Sequence, residues 1–132
     1  SRVTVYEDPG WLQPFGWGLS PTYTQPDPGH LLLLIDAKAG TPIQKWTPGD
    51  WTAIDFLRYD LTSIAYYLLP DANALAIGSG GGRDILTGLL FGARQITGVE
   101  LNPTIVDAAR HEFGEYAGYV YDQPNVQVEV EM

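Results

Sequence analysis

The sequence predicts an α/β fold built on a mostly parallel sheet, preceded by an irregular arm and a β-hairpin. Three observations carry that expectation. A short apolar strand, Ala74 to Ile77, stops at the glycine cluster Gly78-Ser-Gly-Gly-Gly82, and a helical pattern follows. A second strand, Gln95 to Glu100, ends on a carboxylate. A third, Val126-Gln-Val-Glu-Val130, alternates cleanly between apolar and polar residues. Strands separated by helices pair in parallel, because the crossover returns the chain to the same end of the sheet.

The remaining elements follow in order. Arg2 to Tyr6 reads as a short strand. From Asp8 to Gly29 the chain is dense in proline, glycine and aromatic residues (Pro9-Gly10-Trp11, Pro14-Phe15-Gly16-Trp17-Gly18, Pro21, Pro26, Pro28), which breaks helical and strand periodicity alike. The aromatics are expected to pack this arm onto the domain. His30-Leu-Leu-Leu-Leu-Ile-Asp36 is an apolar run, Ala37 to Pro42 supplies turn residues, and Ile43 to Trp46 returns as a partner strand. Between Asp50 and Leu69, apolar residues at Trp51, Ile54, Leu57, Leu61, Ile64, Ala65 and Leu68 lie near a 3.6 period until Pro70 stops the pattern. A break is expected near Asp60-Leu-Thr62, where Asp60 or Thr62 caps a second segment. Asp84 to Phe91 is the helix after the glycines. Pro103 suits a first helical turn, which makes Asn102 the cap of a helix running to about Tyr116.

The expected organisation is residues 1–50 as arm and hairpin and residues 51–132 as the first half of a sheet domain, together one compact unit. That half leaves one edge of the first parallel strand open. The chain is therefore expected to be an N-terminal fragment, or to have the edge covered by a second chain or a second copy, and its start at Ser1-Arg2 without an initiator Met suggests processing, an expression boundary or a piece cut from something longer.

Composition narrows the function. In 132 residues, 7 basic against 16 acidic side chains give a net charge of -9, which repels a phosphate backbone and disfavours nucleic acid or an anionic membrane as partner. With no cysteine there is no disulfide framework, thiolate metal site or cysteine nucleophile, and a cytoplasmic location is expected. No metal site is expected either. The longest early apolar stretch, Leu31 to Ile35, is far short of the roughly 20 residues that span a bilayer.

The chemistry concentrates in the glycine cluster. Without side chains at Gly78, Gly80, Gly81 and Gly82 the backbone can turn tightly and approach a ligand. Glu100 follows Gly82 by eighteen residues at the end of the next strand, where a carboxylate can accept both hydroxyls of a ribose in bidentate fashion. A dinucleotide fingerprint would place its third glycine at position 83, which is Arg83, whereas G-x-G-x-G is complete in Gly78-Ser-Gly-Gly-Gly82.

At this point the chain resembles the class I S-adenosylmethionine-dependent methyltransferases, and within them the spermidine and spermine synthase-like proteins. The resemblance covers roughly Leu57 to Met132 and rests on Ala74-Leu-Ala-Ile-Gly-Ser-Gly-Gly-Gly-Arg-Asp84, Gly92-Ala-Arg-Gln-Ile-Thr-Gly-Val-Glu-Leu-Asn-Pro103 and Ile105-Val-Asp-Ala-Ala-Arg110. It implies a partial Rossmann-like fold that binds S-adenosylmethionine or its decarboxylated form. Gly78, Ser79, Gly80, Gly81 and Gly82 would line the cofactor, Asp84 would sit near its amino-acid end, and Glu100, with Leu101 beside it, would take the ribose. Ala76 stands where ordinary methyltransferases often carry an acid, which favours the polyamine-synthase branch. The catalytic Asp and second acidic substrate ligand of aminopropyltransferases lie beyond the third strand, so no catalytic residue is matched.

Other residues admit two readings. Asp84 either faces a cofactor amino group or favours the first turn of its helix through the macrodipole. Arg83 pairs with Asp84, Glu100 or a carboxylate ligand, or forms an ordinary surface pair. His30 and His111 stand apart from one another and from any acid pair by pattern, which argues against a metal or general-base role. Tyr66 and Tyr67 form a substrate wall or simply core, and the four tryptophans staple the arm or cage an ammonium. The function expected is a cofactor-binding domain of a transferase that passes a methyl or aminopropyl group to a polyamine or other small amine. The alternatives are a domain binding NAD or another adenosine ligand, and a non-catalytic binding or assembly module.

Overall fold

The computed structural model describes residues 2–7 and 12–130, so the Pro9-Gly10-Trp11 part of the arm lies outside the described residues. Two three-stranded sheets organise the chain. The first is antiparallel in the order β1 (Val3–Glu7), β2 (His30–Ile35), β3 (Ala39–Gln44). The second is parallel in the order β4 (Asn73–Ile77), β5 (Gln95–Glu100), β6 (Val126–Val130). Three short helices, α1 (Ile64–Leu68), α2 (Arg83–Leu90) and α3 (Pro103–Asp107), join these elements, with α2 and α3 forming the parallel crossovers.

The expected α/β class is present, with the first strand and the hairpin merged into a sheet of their own. The hairpin turns earlier than its composition suggests. Asp36 and Ala37 both adopt left-handed backbone angles, φ 49° and 56°, the pattern of a two-residue turn whose twist suits its strands. This frees Ala39 to Pro42 to pair with β2 instead of turning. Pro42 is tolerated because β3 is an edge strand, where a missing N–H need not break a ladder.

The single helix expected over 50–69 is instead two 3-10 turns, Asp55–Tyr59 and Leu61–Ser63, followed by α1. The break falls at Asp60, as the capping signal suggests. Its backbone is extended and its carboxylate accepts the Thr62 amide. The cause is tertiary, since the same carboxylate reaches Arg83 Nη2 at 2.5 Å, a pull that a continuous helix would not accommodate. Asn102 caps α3 as expected by accepting the Thr104 amide. That helix ends sooner than the pattern suggests and widens over Ala108–Glu112, where the Phe113 amide reaches back five residues to Ala108.

Register divides the parallel sheet into two unlike faces. Ala74, Ala76, Ile96, Gly98, Glu100, Val126 and Val128 share one face, which Ile85 and Ile105 help to cover. Both crossovers step in the same direction across the sheet, and right-handed connections then place their helices on the same side. The other face carries Leu75 and Ile77, 63 % and 79 % exposed. The free edge of β4 opens onto a groove of about 360 Å³ between that strand, Ala65, Tyr66 and Leu69, with Asp84 and Thr87 on its wall. No helix among the described residues is long and apolar enough to cross a membrane.

One buried ion pair ties the helical segments together. Arg83 and Asp60 are both almost completely enclosed; Asp60 also accepts the Trp17 amide, and the Arg83 guanidinium lies 5.9 Å from the centre of the Phe15 ring. Arg83 is thus neither a surface cation nor a partner of Glu100. Truncating one member strands the other charge in a dry site, a loss of about 3–5 kcal/mol. Asp60→Ala is accordingly expected to lower unfolding free energy by that amount in urea titrations followed by tryptophan fluorescence, whereas Asp55→Ala, whose ion pair with Arg58 is half-exposed, should change it by less than about 1 kcal/mol.

Candidate functional site

The glycine cluster leaves the end of β4 and doubles back beneath the end of β5 before entering α2. The amides of Gly78 and Ser79 both donate to the Val99 carbonyl, which extends the parallel ladder into the turn. The Gly80 amide donates to Glu100 Oε2 at 2.9 Å, and Asn102 donates to Oε1 of the same carboxylate at 3.0 Å. The Gly81 amide donates to Thr41 Oγ1 at 3.0 Å, and the Gly82 amide to the Ser79 carbonyl. All five amides of the cluster therefore have partners within the protein.

Close packing accounts for much of the cluster. A Cβ at Gly81 would stand 2.2 Å from the Pro42 carbonyl oxygen, and one at Gly82 would meet Val120 at 2.7 Å. Gly78 differs: it is exposed, and a Cβ there would touch nothing within 4 Å. From below, the Tyr121 hydroxyl lies 2.7 Å from the Gly80 carbonyl oxygen and 3.0 Å from Ser79 Oγ. A phenol has one proton, and the carbonyl can only accept it, so the Gly80 bond takes the Tyr121 proton. Burial pushes the Tyr121 pKa well above the usual phenol range, which keeps that proton in place.

Glu100 is the buried centre of this arrangement, only 8 % exposed. An ionised carboxylate offers about four acceptor positions, of which two hold the Gly80 and Asn102 amides. By that count two acceptor positions remain beyond these two amides. Leu101, 72 % exposed, and Ile77 lie beside it at the carboxyl ends of adjacent strands. The residues expected at the site are thus brought together around the strand ends, with Gly78 and Leu101 facing outward and Ser79, Gly80, Gly81, Gly82 and Glu100 inward. Thr41 and Tyr121 join them without having been marked by any sequence pattern.

Asp84 sits in the first turn of α2, half-exposed on the groove beside β4, with Oδ1 3.7 Å from Arg83 Nη1. Partial burial raises its pKa above the ordinary carboxylate value; Arg83 opposes that shift and Asp60 adds to it. Tyr66 stacks on Phe91 at 5.3 Å and Tyr67 meets the same ring edge-on. Tyr66 is packed against the core and borders the groove, whereas Tyr67 is 60 % exposed and its hydroxyl donates to the Arg58 carbonyl.

Each histidine has one acidic neighbour. His30 Nδ1 lies 2.6 Å from Asp27 in a buried pair, and His111 lies 3.8 Å from Asp107 at the surface. Neither faces the glycine cluster. Among the described residues no group of three or more His, Asp or Glu side chains could hold a metal ion. Trp46 and Trp51 pack on each other, Trp17 packs on Phe15 within the arm, and Trp11 lies outside the described residues.

No family model and no curated protein matches the chain. Among solved structures it is similar to spermidine synthase from Thermotoga maritima, with 18 % identity and a TM-score of 0.50 over 87 % of this chain and 40 % of that one. A spermidine synthase in complex with the transition state analogue AdoDATO gives 18 % identity and a TM-score of 0.48 over 80 % of this chain and 33 % of that one. The chain thus spans two fifths or less of the length of these structures. At this identity the likeness shows the fold, Rossmann-like with a parallel three-stranded sheet and an antiparallel sheet before it.

The two kinds of glycine should separate experimentally. Gly81→Ala forces a backbone clash that no side chain can relieve and is expected to cost at least about 3 kcal/mol. Gly78→Ala meets only the strain of its left-handed angle, φ 73°, or about 1–2 kcal/mol. Chemical denaturation of the two variants checks the order.

Proposed function

We propose that this chain is the cofactor-binding half of a transferase, holding S-adenosylmethionine or its decarboxylated form at the carboxyl ends of β4 and β5. The observation that carries this reading is Glu100, buried, pinned by two amides, and still with acceptor capacity for two hydroxyls beside exposed Gly78. A ribose diol matches that capacity. The engaged amides of the glycine cluster favour a ligand without phosphate, because a pyrophosphate would need those donors free. They count against the NAD reading, as does Arg83 in place of the third glycine.

In this reading Glu100 orients the ribose, and Gly78 lets the ligand approach the strand end. Asp84 supplies a negative charge for the amino end of the cofactor, and Ile77 and Leu101 offer apolar surface beside it. When bound, the cofactor supplies an electrophilic carbon attached to a sulfonium, for methyl or aminopropyl transfer. Catalysis is then mostly alignment of that carbon with an amine. The acidic surface, net charge -9, suits a cationic acceptor such as a polyamine. The absence of cysteine supports a cytoplasmic setting. The likeness in fold to a spermidine synthase supports the polyamine branch, and the activity of the whole protein belongs to this proposal.

A second reading has its own observation. The unpaired edge of β4, with Leu75 and Ile77 exposed beside it, favours a role in assembly through an added strand from a second chain or copy. The two readings are compatible.

Calorimetry with methylthioadenosine, S-adenosylmethionine and its decarboxylated form is expected to show saturable binding, with NAD giving none. Glu100→Gln, which halves the acceptor capacity and removes the charge, should weaken binding at least about tenfold. Preference for NAD, or no heat with any of the three thionucleosides, would overturn the proposal. For the assembly reading, Leu75→Lys with Ile77→Lys should abolish any concentration-dependent mass seen by light scattering, and a wild-type monomer at all concentrations would refute it.

A further inference from the structure

We infer that Thr41, on the antiparallel sheet, is a positioning residue of the candidate cofactor site; the inference rests on the cofactor reading above and adds a part that the glycine cluster alone does not contain. The starting point is a buried donor. Gly81 is buried, and its amide has Thr41 Oγ1 as acceptor at 3.0 Å. A buried amide left without an acceptor loses the full cost of its desolvation, so removal of this one oxygen gives the Gly81 peptide a reason to rotate.

The neighbouring amide makes that rotation matter. Gly80 and Gly81 are consecutive, yet their N–H groups go to opposite walls, Gly80 to Glu100 and Gly81 to Thr41. The Gly81 N–H lies in one planar peptide with the Gly80 carbonyl, which the Tyr121 hydroxyl holds at 2.7 Å, so turning that N–H swings the carbonyl off Tyr121 and shifts the Gly80 backbone. Thr41 and Tyr121 thus clamp the two sides of the peptide that follows Gly80, and the clamp holds the residue whose own amide meets Glu100. The contact leaves little slack, because a Cβ at Gly80 would lie 2.5 Å from the same Thr41 oxygen. β3 is itself held by Ile43, wholly buried in the shared core. The antiparallel sheet is thus the rear wall of the site rather than a separate appendage.

Thr41→Val keeps the shape and removes the acceptor, whereas Thr41→Ser keeps the acceptor and removes a methyl group. The expected result is that Thr41→Val weakens methylthioadenosine binding about tenfold and that Thr41→Ser stays within about twofold of wild type. Amide hydrogen exchange in the unliganded protein supplies an independent readout. In Thr41→Val, exchange should accelerate at Gly80 as well as at Gly81, although Gly80 makes no bond to Thr41. Accelerated exchange at Gly81 with Gly80 unchanged would overturn the coupling. Equal loosening in Thr41→Ser would assign the effect to packing and also overturn it. If wild type binds none of the thionucleosides, the cofactor reading fails while the exchange arm still decides the clamp. If wild type binds and Thr41→Val binds equally well, the positioning role fails alone.

Discussion

The constraint that seats the site is backbone against backbone, where the glycine cluster lies on β3. No residue with a side chain fits at Gly81, because the Pro42 carbonyl occupies the place of its Cβ. That approach is what joins the two sheets. It brings Thr41 within reach of a loop forty residues away and buries the amides that a solvent-facing turn would leave to water. Once the loop is seated, its other bonds follow from position: Gly80 meets Glu100, Ser79 meets Tyr121, and α2 starts with Arg83 aimed at Asp60. The arm is then gathered by the same pair, through the Trp17 amide on Asp60 and the Phe15 ring near Arg83.

In the proposed reading one carboxylate, Glu100, serves stability and recognition at once. A buried carboxylate needs donors, and the two amides beside it provide them. Charge-assisted bonds of this type are about twice as strong as neutral ones, so the arrangement fixes the side chain without enclosing it completely. The acceptor capacity left over has a defined orientation, which is what recognition of a diol requires. Asp84 is held less firmly and has water on one side, so it is better suited to meeting a mobile charged group than to shaping the loop.

Local patterns in the sequence carry most of the parallel half. The strands at 73–77, 95–100 and 126–130 and the cap at Asn102 are legible, because each depends on neighbours within a turn or two, and the break at Asp60 shows through its capping signal although a distant partner causes it. The position of Glu100 at a strand end is legible for the same reason. What the sequence conceals is set by contacts across long separations. Arg83 lies in a first helical turn, ordinarily a surface place, and only Asp60 twenty-three residues earlier makes it a buried cation. Thr41 sits among Gly40 and Pro42 and reads as turn, while Tyr121 belongs to no periodic segment; each is defined by the loop it touches. Leu75 and Ile77 read as core because they are apolar, yet no element among the described residues covers their face.

The single-sided sheet has a consequence for where a ligand belongs. Any strand that adds to β4 must do so away from β5, so the order of the sheet reverses at β4 itself. In open parallel sheets the crevice for a ligand forms outside the carboxyl ends of the strands at such a reversal, because the connections on either side diverge there. That place is the end of β4, at Gly78. A strand added there would make the uncovered edge and the exposed glycine two aspects of one topological switch point, with its connection as the second wall of the crevice.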